Sequence, residues 1–251
     1  MGEISISGVE LLFAVTASGG ERFYGIHDPL WALDAGEILL KQNEASLSLE
    51  KKGFVSLGFD ESMVFEPSLE EIVKHCTFCE QFLMLNTICS GRQQPPSVFY
   101  FKDNRIAQLR QGLDEEYILS WVEKDAFFDR ILTQIHKNSV PHQEAPACAI
   151  STQEMSKLQG RFTAKGKAVE FSSEIPKEMG NILERGLKQE ADYSVVMLRD
   201  IEQRTVEHII CIHAPEGSLR LWQNLLEGED SWRICYTDRE ELNGLLRKLV
   251  G

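Results

Sequence analysis

Two stretches of the chain share one pattern, IAQLRQGLDEEYILSWV at Ile106–Val122 and LRLWQNLLEGEDSWRICY at Leu219–Tyr236. Each predicts a strand, an acidic turn and a second strand that carries a tryptophan. An amphipathic helix follows each stretch, and four apolar residues of the first helix recur 114 positions later in the second. The pairs are Phe128 and Leu242, Ile131 and Leu245, Leu132 and Leu246, and Ile135 and Leu249. The sequence therefore predicts a duplicated unit.

Each predicted copy is a helix, four strands and a closing helix. In the first copy a capping-box pattern at Ser68 and Glu71 begins the helix. Its strands are predicted at Gln81–Cys89, Val98–Lys102, Arg105–Arg110 and Tyr117–Val122, before the helix Asp125–His136. The second copy begins at Pro176, with strands at Tyr193–Ile201, Thr205–His213, Ser218–Gln223 and Ser231–Thr237. We expect an α+β fold of two pseudo-symmetric halves, each an antiparallel β-meander sheet packed with helices.

The region before the first copy predicts helices and a small hairpin. Helices are predicted at Ser7–Ala17, at Leu30–Lys41 with Asp28 as the cap, and at Asn43–Lys52. Two short strands, Phe54–Phe59 and Ser62–Phe65, follow them. We expect N-terminal helices with a winged-helix-like hairpin at 1–67, the first copy at 68–138, a linker at 139–151 and the second copy at 152–251. Together they would form one compact pseudo-twofold unit.

Composition excludes several classes of protein. The chain has 251 residues and a formal net charge of −13, which does not suit phosphate binding, so we expect no nucleic-acid partner. The first residues have neither the basic start nor the apolar core of a signal peptide, and we expect no membrane insertion and a cytoplasmic location. The 6 cysteines are too irregularly spaced for a disulfide framework.

No catalytic motif is present in either copy. The chain lacks a nucleophile elbow, a Walker loop and a dinucleotide fingerprint, so we expect no enzyme, no cofactor and no catalytic residue. The sharpest pattern is His75-Cys76-Thr77-Phe78-Cys79, whose two thiols could bind zinc or act in redox chemistry. No second pair of ligands completes a metal site, and both cysteines fit a buried helix face. We therefore interpret them as core residues and expect no metal.

Apolar residues near the loops of the second copy predict a partner surface. They are Trp222, Leu225, Leu226 and Trp232. Exposed apolar residues beside a sheet often mark a protein interface. The alternative is that these side chains fold back onto the core.

One passage of the chain resembles the EspG chaperones of type VII (ESX) secretion and their uncharacterised Gram-positive relatives. The run Leu47–Val55, the turn Asp60-Glu61, the strand Met63–Phe65 and the helix Leu69–Cys76 are similar to that family's helix–Gly–strand–turn–strand–helix passage. The two meanders with their closing helices also match its architecture. The resemblance implies a cytosolic chaperone whose substrate surface lies at Thr205–Trp232 and the closing helix.

Three functions are weighed from these patterns. The first is a chaperone or adaptor that binds a helical secreted protein (WXG-like or LXG-like) from a neighbouring gene. The second is an immunity or antitoxin protein that neutralises a secreted toxin. The third is a winged-helix transcription regulator that uses Asn43–Phe65.

Overall fold

Helices and antiparallel strands make up the protein, which confirms the predicted α+β class. The computed structural model describes residues 2–58, 62–112, 116–135, 147–153, 155, 175–188, 190–224 and 231–250. The chain divides into two compact units, Met1–Phe82 with Ser97–Glu123, and Leu83–Pro96 with Lys124–Gly251. These units differ from the predicted copies, and the pseudo-twofold relation between the copies stays a prediction.

Six helices lie in the described part of the chain. They are α1 (Gly8–Ala17), α2 (Ala35–Lys51), α3 (Pro67–Thr77), α4 (Lys124–Ile135), α5 (Lys177–Leu187) and α6 (Arg239–Val250). The strands before α4 are β1 (Ile4–Ser7), β2 (Val55–Leu57), β3 (Met63–Phe65), β4 (Gln81–Cys89), β5 (Arg92–Gln93), β6 (Ser97–Lys102), β7 (Arg105–Gln111) and β8 (Glu116–Val122). The strands after α4 are β9 (Cys148–Ser151), β10 (Asp192–Asp200), β11 (Thr205–Ala214), β12 (Gly217–Asn224) and β13 (Ser231–Tyr236).

The sheet of the first unit has the order β1-β8-β7-β6. Strands β6 and β7 form the predicted hairpin, in which Asp103 and Asn104 have φ of 49° and 61°. These residue types tolerate left-handed backbone conformations better than most, so they suit this tight turn. Strand β1 was not expected from the sequence; it pairs antiparallel with β8 in the register Ile4 to Leu119.

A single helix, α2, replaces the two helices predicted at Leu30–Lys41 and Asn43–Lys52, so that prediction is wrong. The helix begins at Ala35, because Asp34 and Glu37 form a reciprocal capping box. Asp28, the expected cap, instead accepts a hydrogen bond from the Leu30 amide at 2.8 Å. No glycine or proline interrupts the chain between the two predicted helices, so the helix continues to Lys51.

The second unit contains strands in the order β4-β10-β11-β12-β13-β9, with β5 beside β4. The segment 139–151 is predicted as a linker, but Cys148–Ser151 pairs antiparallel with β13 as strand β9. Pairing, rather than local pattern, makes this short segment a strand. The predicted helix after Ser151 and the weak hairpin at Phe162–Phe171 fall largely or wholly outside the described residues.

Helix α5 covers one face of this sheet. Its residues Met179, Ile182 and Leu183 are buried in a cluster with apolar residues of β11, β12 and β13. Elsewhere in the unit, α6 lies beside α4, and the Arg247 guanidinium lies 4.3 Å from the centroid of the Phe128 ring.

Candidate functional site

The register of β12 and β13 separates the two tryptophans of the predicted partner surface. Trp222 pairs with Arg233, and Leu221 pairs with Ile234. Paired residues share a face of a sheet, and neighbours along a strand point to opposite faces. Trp222 and Arg233 therefore lie on one face, whereas Trp232 lies on the face that α5 covers.

We call the first of these surfaces the Trp222 face, defined by Glu207, Arg220, Trp222, Arg233 and Cys235. Trp222 is half-buried, and its Nε1 donates a hydrogen bond to Glu207 Oε2 at 3.1 Å. The Arg233 guanidinium lies 5.5 Å from the Trp222 ring centroid, within cation–π range, and Arg233 is exposed. Arg220 Nη2 donates to Cys235 Sγ at 3.3 Å.

The composition of the Trp222 face suits protein recognition. Tryptophan and arginine are the residue types that most often dominate the energy of protein interfaces. Glu207 and Arg233 hold the Trp222 ring from two sides, which limits the entropy that the side chain loses on binding. This arrangement can present a pre-organised aromatic ring to a partner.

The other three predicted partner residues have different places. Trp232 is 6% exposed, in the cluster that α5 covers, and its ring stacks near that of His208 with centroids 6.4 Å apart. Burial lowers the pKa of His208. Leu225 and Leu226 lie outside the described residues. Partner contact by these three residues stays a prediction, although the burial of Trp232 gives it a packing role.

The two thiols of the CxxC pattern are buried in the first unit. Cys76 is fully buried in α3, and Cys79, which follows the end of that helix, is 6% exposed. Burial raises the pKa of Cys79 to about 12 and that of Cys76 well above its usual value, which disfavours the thiolate that redox chemistry and metal binding need. Among the described residues, no group of three or more His, Cys, Asp or Glu side chains is placed to hold a metal ion.

His75, next to these cysteines, has a packing role. Its Nε2 lies 3.2 Å from the Tyr100 carbonyl oxygen, and its ring meets the Trp121 ring edge-on with centroids 4.7 Å apart. Burial lowers the pKa of His75, so the neutral ring is favoured. The CxxC pattern is therefore a packed core element, as interpreted from the sequence.

A separate surface with exposed leucines lies on α2, and the sequence patterns did not single it out. Leu39, Leu40 and Leu47 are 60%, 59% and 58% exposed, and we call them the leucine stripe. The buried residues of the same helix, Ala45 and Leu49, lie on its opposite side. The signal was present in the sequence as leucines on both faces of one helix. It was hidden because the helix was predicted in two parts.

A cavity of about 380 Å³ lies at the start of α1, lined in part by His27, Gln111 and Tyr117. At the first turn of that helix Ser7 and Glu10 form a capping box, in which each side chain accepts a hydrogen bond from the backbone amide of the other residue.

The fold is similar to that of the Mycobacterium tuberculosis type VII secretion system chaperone EspG5, solved in complex with a PE25-PPE41 dimer. The TM-score is 0.60 at 8% sequence identity, over 99% of this chain and 96% of that chain. At this identity the likeness shows a shared fold. The sequence itself matches no family model and no curated protein. None of the helices in the described part of the chain has the length and apolar content needed to cross a bilayer.

Proposed function

We propose that this protein is a chaperone or adaptor for a helical protein exported by a type VII (ESX-like) secretion system. The observation that carries the proposal is the fold likeness to the chaperone EspG5, which extends over nearly the whole of both chains. The partner is a secreted helical protein, WXG-like or LXG-like, encoded by a neighbouring gene. The protein binds it without chemistry, in the cytoplasm, before export.

The Trp222 face supports this function. Glu207, Arg220 and Trp222 lie within Thr205–Trp232, the region that the family resemblance implies for the substrate surface, and Arg233 and Cys235 follow directly after it. Its aromatic ring is flanked by Arg233, and such a pair can cover an apolar side chain while the guanidinium meets a carboxylate of the partner. Arg233 is exposed and the other four residues of the face are partly buried, so a partner helix would meet the face at Arg233 and at the accessible part of Trp222.

Co-expression with helical secreted proteins from neighbouring genes, followed by co-purification, tests the proposal. Trp222→Ala removes the ring, and Arg233→Glu reverses the charge of an exposed residue. We expect either change to weaken binding by about tenfold or more. Phe78→Ala is the matched control, because Phe78 is 46% exposed but lies in the first unit.

The result decides between the functions weighed from the sequence. Capture of the partner through its helical export segment supports the chaperone. Capture through a toxin domain alone would support an immunity protein instead. If no helical secreted neighbour co-purifies with the wild-type protein, the chaperone proposal fails.

A further inference from the structure

Helix α2 is apolar on two opposite faces, and the described part of this chain buries one of them. Ala45 and Leu49 are buried on the face that packs beside α1. Leu40 and Leu47, seven residues apart, share the outward face, and each remains more than half exposed. A surface helix normally turns polar residues outward, and a helix that is apolar all round is normally buried. The leucine stripe is therefore a surface that a partner would cover.

The charge around the stripe indicates the chemistry of that partner. From Asp34 to Lys51 the chain has four acidic and two basic residues, and three glutamates lie in α2 itself. Lys41 and Glu44 pair with each other at 2.7 Å, which leaves three acidic residues and one lysine, a net charge of −2. The whole chain has a net charge of −13, so a second copy would bring like charges to the stripe. A partner segment with a net positive charge therefore suits the stripe better than a second copy of this chain does.

We propose that the leucine stripe binds an amphipathic helix whose apolar residues are flanked by lysine and arginine. Leu39 to Leu47 spans roughly 12 Å at about 1.5 Å per residue, so the partner helix needs two to three turns. The inference rests on the proposed function: the helix belongs to the secreted protein that the chain escorts. It adds a second contact surface, on the first unit, and a net positive charge on that part of the partner.

A labelled synthetic peptide, a helix of leucine and lysine with one apolar face, tests the proposal by fluorescence anisotropy. Two comparison peptides carry the same apolar face with glutamate in place of lysine, or the same leucines and lysines in scrambled order. The variant Leu40→Asn with Leu47→Asn removes the two leucines of the stripe that share the outward face and keeps the charge. Leu57→Asn, at a leucine that is 68% exposed on β2, is the matched control.

The wild-type protein is expected to bind the leucine–lysine helix more tightly than either comparison peptide. The double variant should bind it about tenfold more weakly or worse, with the control unchanged. Reversing the charge with Glu44→Lys and Glu50→Lys should weaken binding of the leucine–lysine peptide and strengthen binding of the leucine–glutamate peptide. Circular dichroism of each variant checks that the fold is kept, which we expect because all these side chains are exposed.

Three results would overturn the inference. They are equal binding by the double variant, equal binding of the leucine–glutamate peptide, and a dimer of the wild-type protein in sedimentation that the double variant loses. The last would make a second copy the occupant. The experiments also distinguish failure of this inference from failure of the proposed chaperone function. If a co-purified secreted protein binds the double variant as well as the wild type, only this inference fails, whereas the absence of any secreted partner refutes the proposed function.

Discussion

Gly186→Ala should destabilise the protein, although alanine is the better helix former. Gly186 lies in α5, which covers the sheet of the second unit. A Cβ atom at this position would lie 2.6 Å from Cγ2, 2.7 Å from Cδ1 and 3.0 Å from Cγ1 of Ile212. Ile212 is 2% exposed and branched at Cβ, so it has no space in which to turn away. The whole side chain, or the helix, must shift.

The two opposing effects differ in size. Replacing glycine with alanine in a helix contributes at most about 1 kcal/mol, and less this close to the helix end. Overpacking a dense core costs about 1–3 kcal/mol. We therefore expect the free energy of unfolding to fall by about 1–2 kcal/mol. The matched control is Gly244→Ala in α6, where nothing lies within 4 Å of the added atom, and which should stabilise by about 0.5–1 kcal/mol.

Guanidinium unfolding followed by circular dichroism measures both changes as shifts of the midpoint at constant slope. The midpoint should move down for Gly186→Ala and up for Gly244→Ala. Ile212→Ala removes the three contacting atoms, so its combination with Gly186→Ala should cost less than the two single changes together. If Gly186→Ala stabilises as Gly244→Ala does, or if the two changes are additive, the packing of α5 on β11 is not as described.

Three further predictions concern the first unit. Burial alone would raise the pKa of Glu10, but hydrogen bonds, chiefly from Lys52 at 2.8 Å, outweigh burial and lower the pKa. The stability that the Glu10 carboxylate contributes should therefore be present at neutral pH and lost as the pH falls through the lowered value. Lys52→Met should reduce the free energy of unfolding by about 1–2 kcal/mol at pH 7 and by less in acid, as measured by thermal unfolding. Burial raises the pKa of Cys79 to about 12, so this thiol should resist a thiol reagent at pH 8 until the protein is unfolded. Rapid labelling of Cys79 in the native protein would contradict its burial. Gly25→Ala should destabilise by about 2–4 kcal/mol, because φ is 89° and the new Cβ would collide with Val98, and an unchanged midpoint in urea would refute this.

The sequence predicted the elements that local chemistry determines. Strand β4 has the predicted bounds, Gln81–Cys89, because an apolar run ends at turn-forming residues on both sides. The capping box of Ser7 and Glu10 begins α1, and the turn at Asp103 closes a hairpin. Each of these signals involves residues only a few positions apart, so no distant contact is needed to read it.

The sequence resolved the candidate site less well than the fold. It placed Trp222 and Trp232 in one partner surface, since both are aromatic residues near the loops of the second copy. The register of β12 against β13 puts them on opposite faces, and only Trp222 remains beside an exposed arginine. The leucine stripe was missed altogether, since its recognition depends on Leu40 and Leu47 belonging to one helix.

By itself, then, the sequence determined the α+β class, most strands and helices, and the acidic net charge of the chain. Only the tertiary structure decided that Cys148–Ser151 is a strand, that the outer leucines of α2 stay exposed, and that Trp232 is buried. The physical reason is the distance along the chain between the residues that interact. Caps, turns and periodicity are interactions within one element, whereas strand pairing and burial depend on residues far away in the chain, whose contacts no local pattern contains.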